Sequence, residues 1–201
     1  MPTSIQQLET NFNLKYLKTI KWGTSFIENN NGIYIISTSK NKDFLPENDS
    51  PISFNEKQIN LWKANAPKLL LNNKILTQKE LTNQLSGFWL PDESILYIGK
   101  AEKQTLSERI CQFYNHKVGK KSPHKGGYWL KLLNDIDNFY IHLFSTKESH
   151  EIEEKLLRYF IQNVSEMTKL KLIDNKLCLP FANLQLRSRV VKSHGFSNHY
   201  Q

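Results

Sequence analysis

An α/β domain of the α+β type, with a small, mainly antiparallel three-stranded sheet flanked by helices and a mostly helical insertion, is the fold class that these 201 residues predict. Three observations carry it. Two runs of β-branched and aromatic residues, "NNGIYIISTSK" at 30–40 and "ESILYIGKAEK" at 93–103, read as short buried strands, each with a glycine and a tyrosine. "NFYIHLFS" at 138–145 alternates as a third strand. Long amphipathic stretches follow the second and third strands, which gives the order strand, insertion, strand, helix, strand, helix.

Each element has its local reason. The insertion, 39–94, separates the two tyrosine strands and carries helical patterns of its own in "NEKQINLWKAN" and "TQKELTNQLSG". "TLSERICQFYNH" opens with Thr105 and Glu108 spaced as a capping box, and Leu106, Ile110 and Phe113 recur on one face. "STKESHEIEEKLLRYFIQNV" opens with Ser145 and Glu148 at the same spacing and predicts the longest helix. No repeat or clean linker divides the chain, so it reads as one domain over 1–201, with 185–201 a basic C-terminal tail.

Composition narrows the partners. Lys and Arg number 27 against 19 Asp and Glu, a net charge of +8, which favours a polyanion. The charge is uneven: no acidic residue lies between Arg109 and Asn134 or after Asp174, and those stretches hold Lys117, Lys120, Lys121, Lys125, Arg187 and Arg189. Tyr114, His116, His124, Tyr128 and Trp129 lie among the cations of the first stretch, as residues that could stack on bases or donate to phosphates. A solvated basic face is the plainer reading of the same charges. No apolar run reaches the roughly 18 residues of a membrane span, and two cysteines without CxxC spacing suit a reducing compartment, so the expectation is a cytoplasmic protein without a membrane partner.

One residue on the long helix stands out. At about 100° per residue, Glu153 falls among Ile152, Leu156, Phe160, Val164 and Leu157, in the middle of the apolar face. Burying an unpaired carboxylate costs far more than burying a neutral polar group, so Glu153 requires a cation, a metal or donors; a salt bridge to Arg109 would meet the need. Glu154 lies at the polar edge.

"GIY" at 32–34, "YIG" at 97–99, Lys100 directly after, Arg109 one turn into the next helix, Glu153 on the following helix and a late Asn183 together resemble the GIY-YIG nucleases. The resemblance covers roughly 31–37 and 94–184, and "HKGGYWLKLL" with "LPFAN" is similar to a branch in which a Gly-Gly loop leads into a tryptophan-bearing helix. It implies that Tyr34 is the general base or water-positioning group, Tyr97 the second phenol, Lys100 the lysine near a metal-bound water, Arg109 the arginine on the phosphate, Glu153 the carboxylate ligand of the metal and Asn183 a residue holding the site. Many members carry Tyr or His four residues after the arginine; here that residue is Phe113, with Tyr114, His116 and His124 as replacements.

The expected activity is hydrolysis of DNA phosphodiester bonds with one Mg²⁺ or Mn²⁺ ion, one because there is a single buried carboxylate rather than a cluster. Tyr34 could act as a base at neutral pH only if Lys100 or the metal lowered its pKa from about 10. The alternatives are an inactive nucleic-acid-binding module of the same fold and a basic protein that binds no nucleic acid. Each residue also has a structural reading: Tyr34 and Tyr97 as core aromatics, Asn183 as a turn or cap, Lys100 as a strand-end charge, His124 as a loop histidine. Cutting both strands with one active centre per chain would favour a homodimer.

Overall fold

The computed structural model describes residues 1–46, 51–120, 127–187 and 190–198. In chain order the elements are α1 (Ile5–Asn11), β1 (Lys15–Lys21), β2 (Gly32–Ser37), α2 (Glu56–Asn65), β3 (Leu70–Leu71), β4 (Lys74–Ile75), α3 (Gln78–Ser86), β5 (Ile95–Ala101), α4 (Leu106–Asn115), β6 (Tyr140–Ser145), α5 (Ser149–Asn163), α6 (Glu166–Lys171), β7 (Gln185–Arg187), β8 (Val190–Val191) and β9 (Phe196–Ser197). Two 3₁₀ turns, Tyr128–Leu132 and Ile136–Asn138, lie between α4 and β6.

The main sheet has four strands, not three, in the order β1-β6-β2-β5, and every pairing is antiparallel. Strand β1 escapes the sequence pattern for a physical reason. It is an edge strand with no fully buried residue, and an irregularity between Tyr16 and Lys18 breaks its alternation. Its lysines at 15, 18 and 21 suit an edge that must not pair with another chain.

Two cores cover the two faces of this sheet. Because successive side chains point to opposite faces, Ile33, Ile35, Ile98 and Phe144 face α1 and α5, where they meet Leu8, Leu156, Leu157 and Phe160. Tyr34, Ile36, Tyr97, Ile141 and Leu143 face the other way, into a cluster with Ile110 and Phe113 of α4 and with Ile59, Trp62, Leu81 and Leu85 of α2 and α3. The helices of segment 39–94 therefore share a core with both tyrosines. The segment expected as a basic tail is folded too: β7 pairs with β8, and β9 adds to β3 in a small sheet ordered β4-β3-β9.

Capping explains the helix starts, with one exception. Thr105 and Glu108 close the expected box on α4, and Thr77 and Glu80 close another on α3. The expected box at Ser145 and Glu148 does not form. Ser145 is held in β6, opposite Gly32 of β2 and Lys15 of β1, and α5 begins only at Ser149, with Glu148 as an N-cap that makes no side-chain capping bond.

Candidate active site

Register alone brings the two phenols together. Tyr34 pairs with Gly99 and Ile36 with Tyr97, so the tyrosines are diagonal neighbours on one face, with ring centroids 5.8 Å apart. Gly99 makes room for both rings. A Cβ there would lie 2.5 Å from Cζ and 2.6 Å from Oη of Tyr34, and 2.6 Å from Cε1 of Tyr97. Gly127, at φ 74°, closes the far side of the pair, where a Cβ would come 3.0 Å from Cε2 of Tyr97 and 2.7 Å from Cζ of Phe113.

Tyr34 is fully buried, and its Oη has no hydrogen-bonding partner of acceptable geometry among the described residues. Burial pushes its pKa up to about 12; the Arg109 guanidinium and the Tyr97 hydroxyl pull it back, and Glu153 adds to the rise. Burial raises Tyr97 well above the ordinary phenol range, with Tyr34 and Glu153 adding to the rise and Arg109 opposing it. Both phenols are thus neutral at pH 7 and lie within the fields of one arginine, supplied by α4, and one glutamate, supplied by α5.

Glu153 has a cation, and it is Lys100 rather than Arg109. Its Oε2 lies 3.3 Å from Lys100 Nζ, while Arg109 acts on it only from farther away and donates to Gln112 Oε1 at 3.4 Å. The parity of β5 explains the choice. Lys100 follows Gly99 and points to the opposite face, toward α5, whereas Arg109 sits on the helix covering the tyrosine face. Burial raises the Glu153 pKa, and Lys100, His150 and Arg109 oppose the shift. The side chains of Lys100 and Glu153 remain 22% and 23% exposed.

Asn183 acts as a strand extension. Its Oδ1 accepts from the Ile98 amide at 2.9 Å, and its Nδ2 donates to the Ile98 carbonyl at 2.8 Å. One residue earlier, the Ala182 amide donates to the Leu96 carbonyl. The outer edge of β5 is thereby paired immediately before Gly99, which fixes Tyr97 and Lys100 on either side of it.

Several residues expected at the phosphate are elsewhere. Tyr128 and Trp129, like Phe113, are fully buried in the tyrosine-side core, so neither can stack on a base. They lie in a chain of ring contacts from Tyr97 through Phe113 to Trp22, and from Trp62 through Tyr128. His116 is 2% exposed, and burial lowers its pKa to about 4. Lys131 donates to the carbonyls of Tyr114 and His116, where it satisfies the C-terminal end of α4. Lys192, which lies in the second acid-free stretch, is buried and donates to the carbonyls of Pro180 and Phe181. Lys117 is exposed, whereas Lys121, His124, Lys125 and Arg189 lie outside the described residues, and of Arg187 only the backbone in β7 is described.

The sequence reading missed His150. It is exposed, touches Lys100 Nζ through Nδ1, and precedes Glu153 by three residues on α5. That spacing, which puts both on neighbouring positions of one helix face, was the available signal. Comparison with family models, with curated proteins and with solved structures gives no significant match. Among the described residues no helix is long and apolar enough to cross a membrane.

Proposed function

We propose that the chain is a divalent-metal-dependent endonuclease of the GIY-YIG type, acting on DNA phosphodiester bonds. The observation that supports this best is that two buried phenols, side by side over Gly99, both lie within the electrostatic reach of an arginine on α4 and a carboxylate on α5. A purely structural core has no need of an arginine and a glutamate in the field of two buried phenols.

The donor set fits a hard divalent cation. Glu153 is a largely buried carboxylate whose charge is offset by a flexible ammonium, and among the described residues no group of three or more His, Cys, Asp and Glu gathers around a possible ion. So few protein ligands suit Mg²⁺ or Mn²⁺, which completes its shell with water and phosphate oxygens. Such an ion would activate water and neutralise charge developing on the phosphate. Arg109 would hold a non-bridging phosphate oxygen, and Lys100, on its flexible stem, would lie near the attacking water. Kept protonated by burial, the Tyr34 phenol would act by hydrogen bonding rather than as a free base. Lys117, Lys120, Lys121, Lys125, Arg187 and Arg189 would follow the DNA backbone.

A second reading, an inactive DNA-binding module, is favoured by one observation: the position expected to carry Tyr or His is Phe113, wholly enclosed in the core. Incubating the protein with plasmid and branched DNA in Mg²⁺, Mn²⁺ or EDTA separates the two. Metal-dependent cleavage that Glu153→Gln abolishes, with DNA binding and folding retained, supports the nuclease. Salt-sensitive binding with no cleavage under any condition supports the module.

A further inference from the structure

We propose that His150 and Glu153 form a two-residue binding site for a transition-metal ion, with the Lys100 ammonium occupying the cation position while the ion is absent. The inference deepens the nuclease reading and rests on Glu153 as its metal-binding residue.

The geometry is a cation already seated between two ligand types. Lys100 Nζ lies 3.3 Å from Glu153 Oε2 and touches His150 Nδ1, so a carboxylate oxygen and an imidazole nitrogen converge on the same point. Both donors come from one rigid helix, three residues apart. Carboxylate and imidazole three residues apart recur as a metal-binding pair on helices in the order Glu-x-x-His; here the same pair runs in the reverse order. His150 is exposed, so an ion can reach it from solvent without opening the core.

Lys100 also has somewhere to go. Glu102 Oε2 lies 3.7 Å from the same ammonium, and its side chain is 50% exposed. A four-carbon stem lets the ammonium swing outward onto Glu102 while an ion takes its place against Glu153 and His150. The exchange keeps the carboxylate of Glu153 compensated throughout, in either state.

The pair also implies a preference among ions. Imidazole suits Zn²⁺, Cu²⁺, Ni²⁺ and Fe²⁺ best; Mn²⁺, the weakest of that series, still accepts it more readily than Mg²⁺, which prefers oxygen. A site using His150 should therefore bind Mn²⁺ more tightly than Mg²⁺.

The test is an EPR titration of Mn²⁺ into the full chain without nucleic acid, with folding of each variant checked by circular dichroism. Wild type should bind one Mn²⁺. His150→Ala should weaken that binding at least tenfold while changing Mg²⁺ affinity less than threefold, and Lys100→Met should tighten it by removing the competing ammonium. Directly bonded nitrogen should appear in pulsed EPR of the wild-type complex and vanish in His150→Ala. No Mn²⁺ binding by wild type, or equal affinity in His150→Ala, overturns the inference. The readout is independent of cleavage. A protein that binds Mn²⁺ through His150 but cuts no DNA would sink the nuclease reading and leave the pair standing; one that cuts DNA with His150→Ala binding Mn²⁺ like wild type would do the reverse.

Discussion

Replacing Gly99 with alanine should destabilise the protein, although the usual effect of this change in a strand has the opposite sign. Gly99 does not lie in the left-handed region of φ, and at such a position alanine ordinarily stabilises by about 0.4–1 kcal/mol through reduced freedom of the unfolded chain. Here the new methyl would sit 2.5 Å from Tyr34 Cζ and 2.6 Å from Tyr97 Cε1, roughly 1 Å inside van der Waals contact. Neither ring can yield easily, because Tyr34 is fully buried and Tyr97 is backed by Phe113 and Gly127. Overpacking of this kind costs about 1–3 kcal/mol. Taking about 2 kcal/mol, the melting temperature of a chain this size should fall by about 4–8 °C. Urea denaturation measures the cost directly, and a double-mutant cycle assigns it. In a Tyr34→Leu background, which lacks Cζ and Oη, Gly99→Ala should cost at least about 1 kcal/mol less. An alanine variant as stable as wild type, or a cost unchanged by Tyr34→Leu, would refute the claim that the rings rest on Gly99.

Asn183→Ala removes the partners of both the Ile98 amide N–H and the Ile98 carbonyl; leaving a buried donor and acceptor unpaired should cost about 2–4 kcal/mol, and hydrogen exchange at the Ile98 amide should accelerate by more than at the Ile35 amide. His142 is kept neutral, with a pKa near 4, by burial in the sheet, where Thr19, Ser37 and the Ser39 carbonyl satisfy its ring. The unfolded chain then binds the extra proton between about pH 4 and 6.5, so this group's contribution to stability falls as pH falls through that window, by up to about 3 kcal/mol. His142→Gln should flatten that part of the stability profile, and an unchanged slope would show that the ring is not protected. Glu93 has the opposite sign: burial raises its pKa to about 8, so its contribution falls as pH rises from 4.5 to 8, and Glu93→Gln should gain relative stability across that range. Removing Lys120 and Lys121 together should weaken DNA binding about equally across sequences and lower its salt slope by about 2; an unchanged slope would move the DNA surface elsewhere.

Local signals in the sequence were legible where one residue type has one physical use. The capping box of α4 and the buried strands β2 and β5 could be read because each depends on neighbours a few residues away. Legibility failed where tertiary partners decide. Strand β1 gains its hydrogen bonds from β6, about 120 residues on, and has no buried row of its own to announce it. Ser145 is an N-cap by spacing, but the sheet holds it first. Tyr128 and Trp129 look like stacking residues among cations, yet the helices of 39–94 cover them, and nothing local to 124–133 foretells that. Glu153 was identified from its place on the helix, but its partner depended on strand parity, which put Lys100 rather than Arg109 on the α5 side.

The small sheet β4-β3-β9 sets the order in which the molecule can be completed. Its middle strand is made at residues 70 and 71, but the second neighbour of that strand, at 196 and 197, is synthesised about 125 residues later. Until then the hairpin of β3 and β4 has only two strands of two residues, too little to persist alone. The four-stranded sheet needs nothing beyond Ser145, so it can assemble during synthesis while the covering of its tyrosine face is still incomplete. Phe196 finishes that covering by packing on Trp62 and Trp129. A chain stopped at residue 187 should therefore protect the amides of β2 from exchange while leaving those of β3 fast, and it would be held by chaperones at that face rather than at the α5 side.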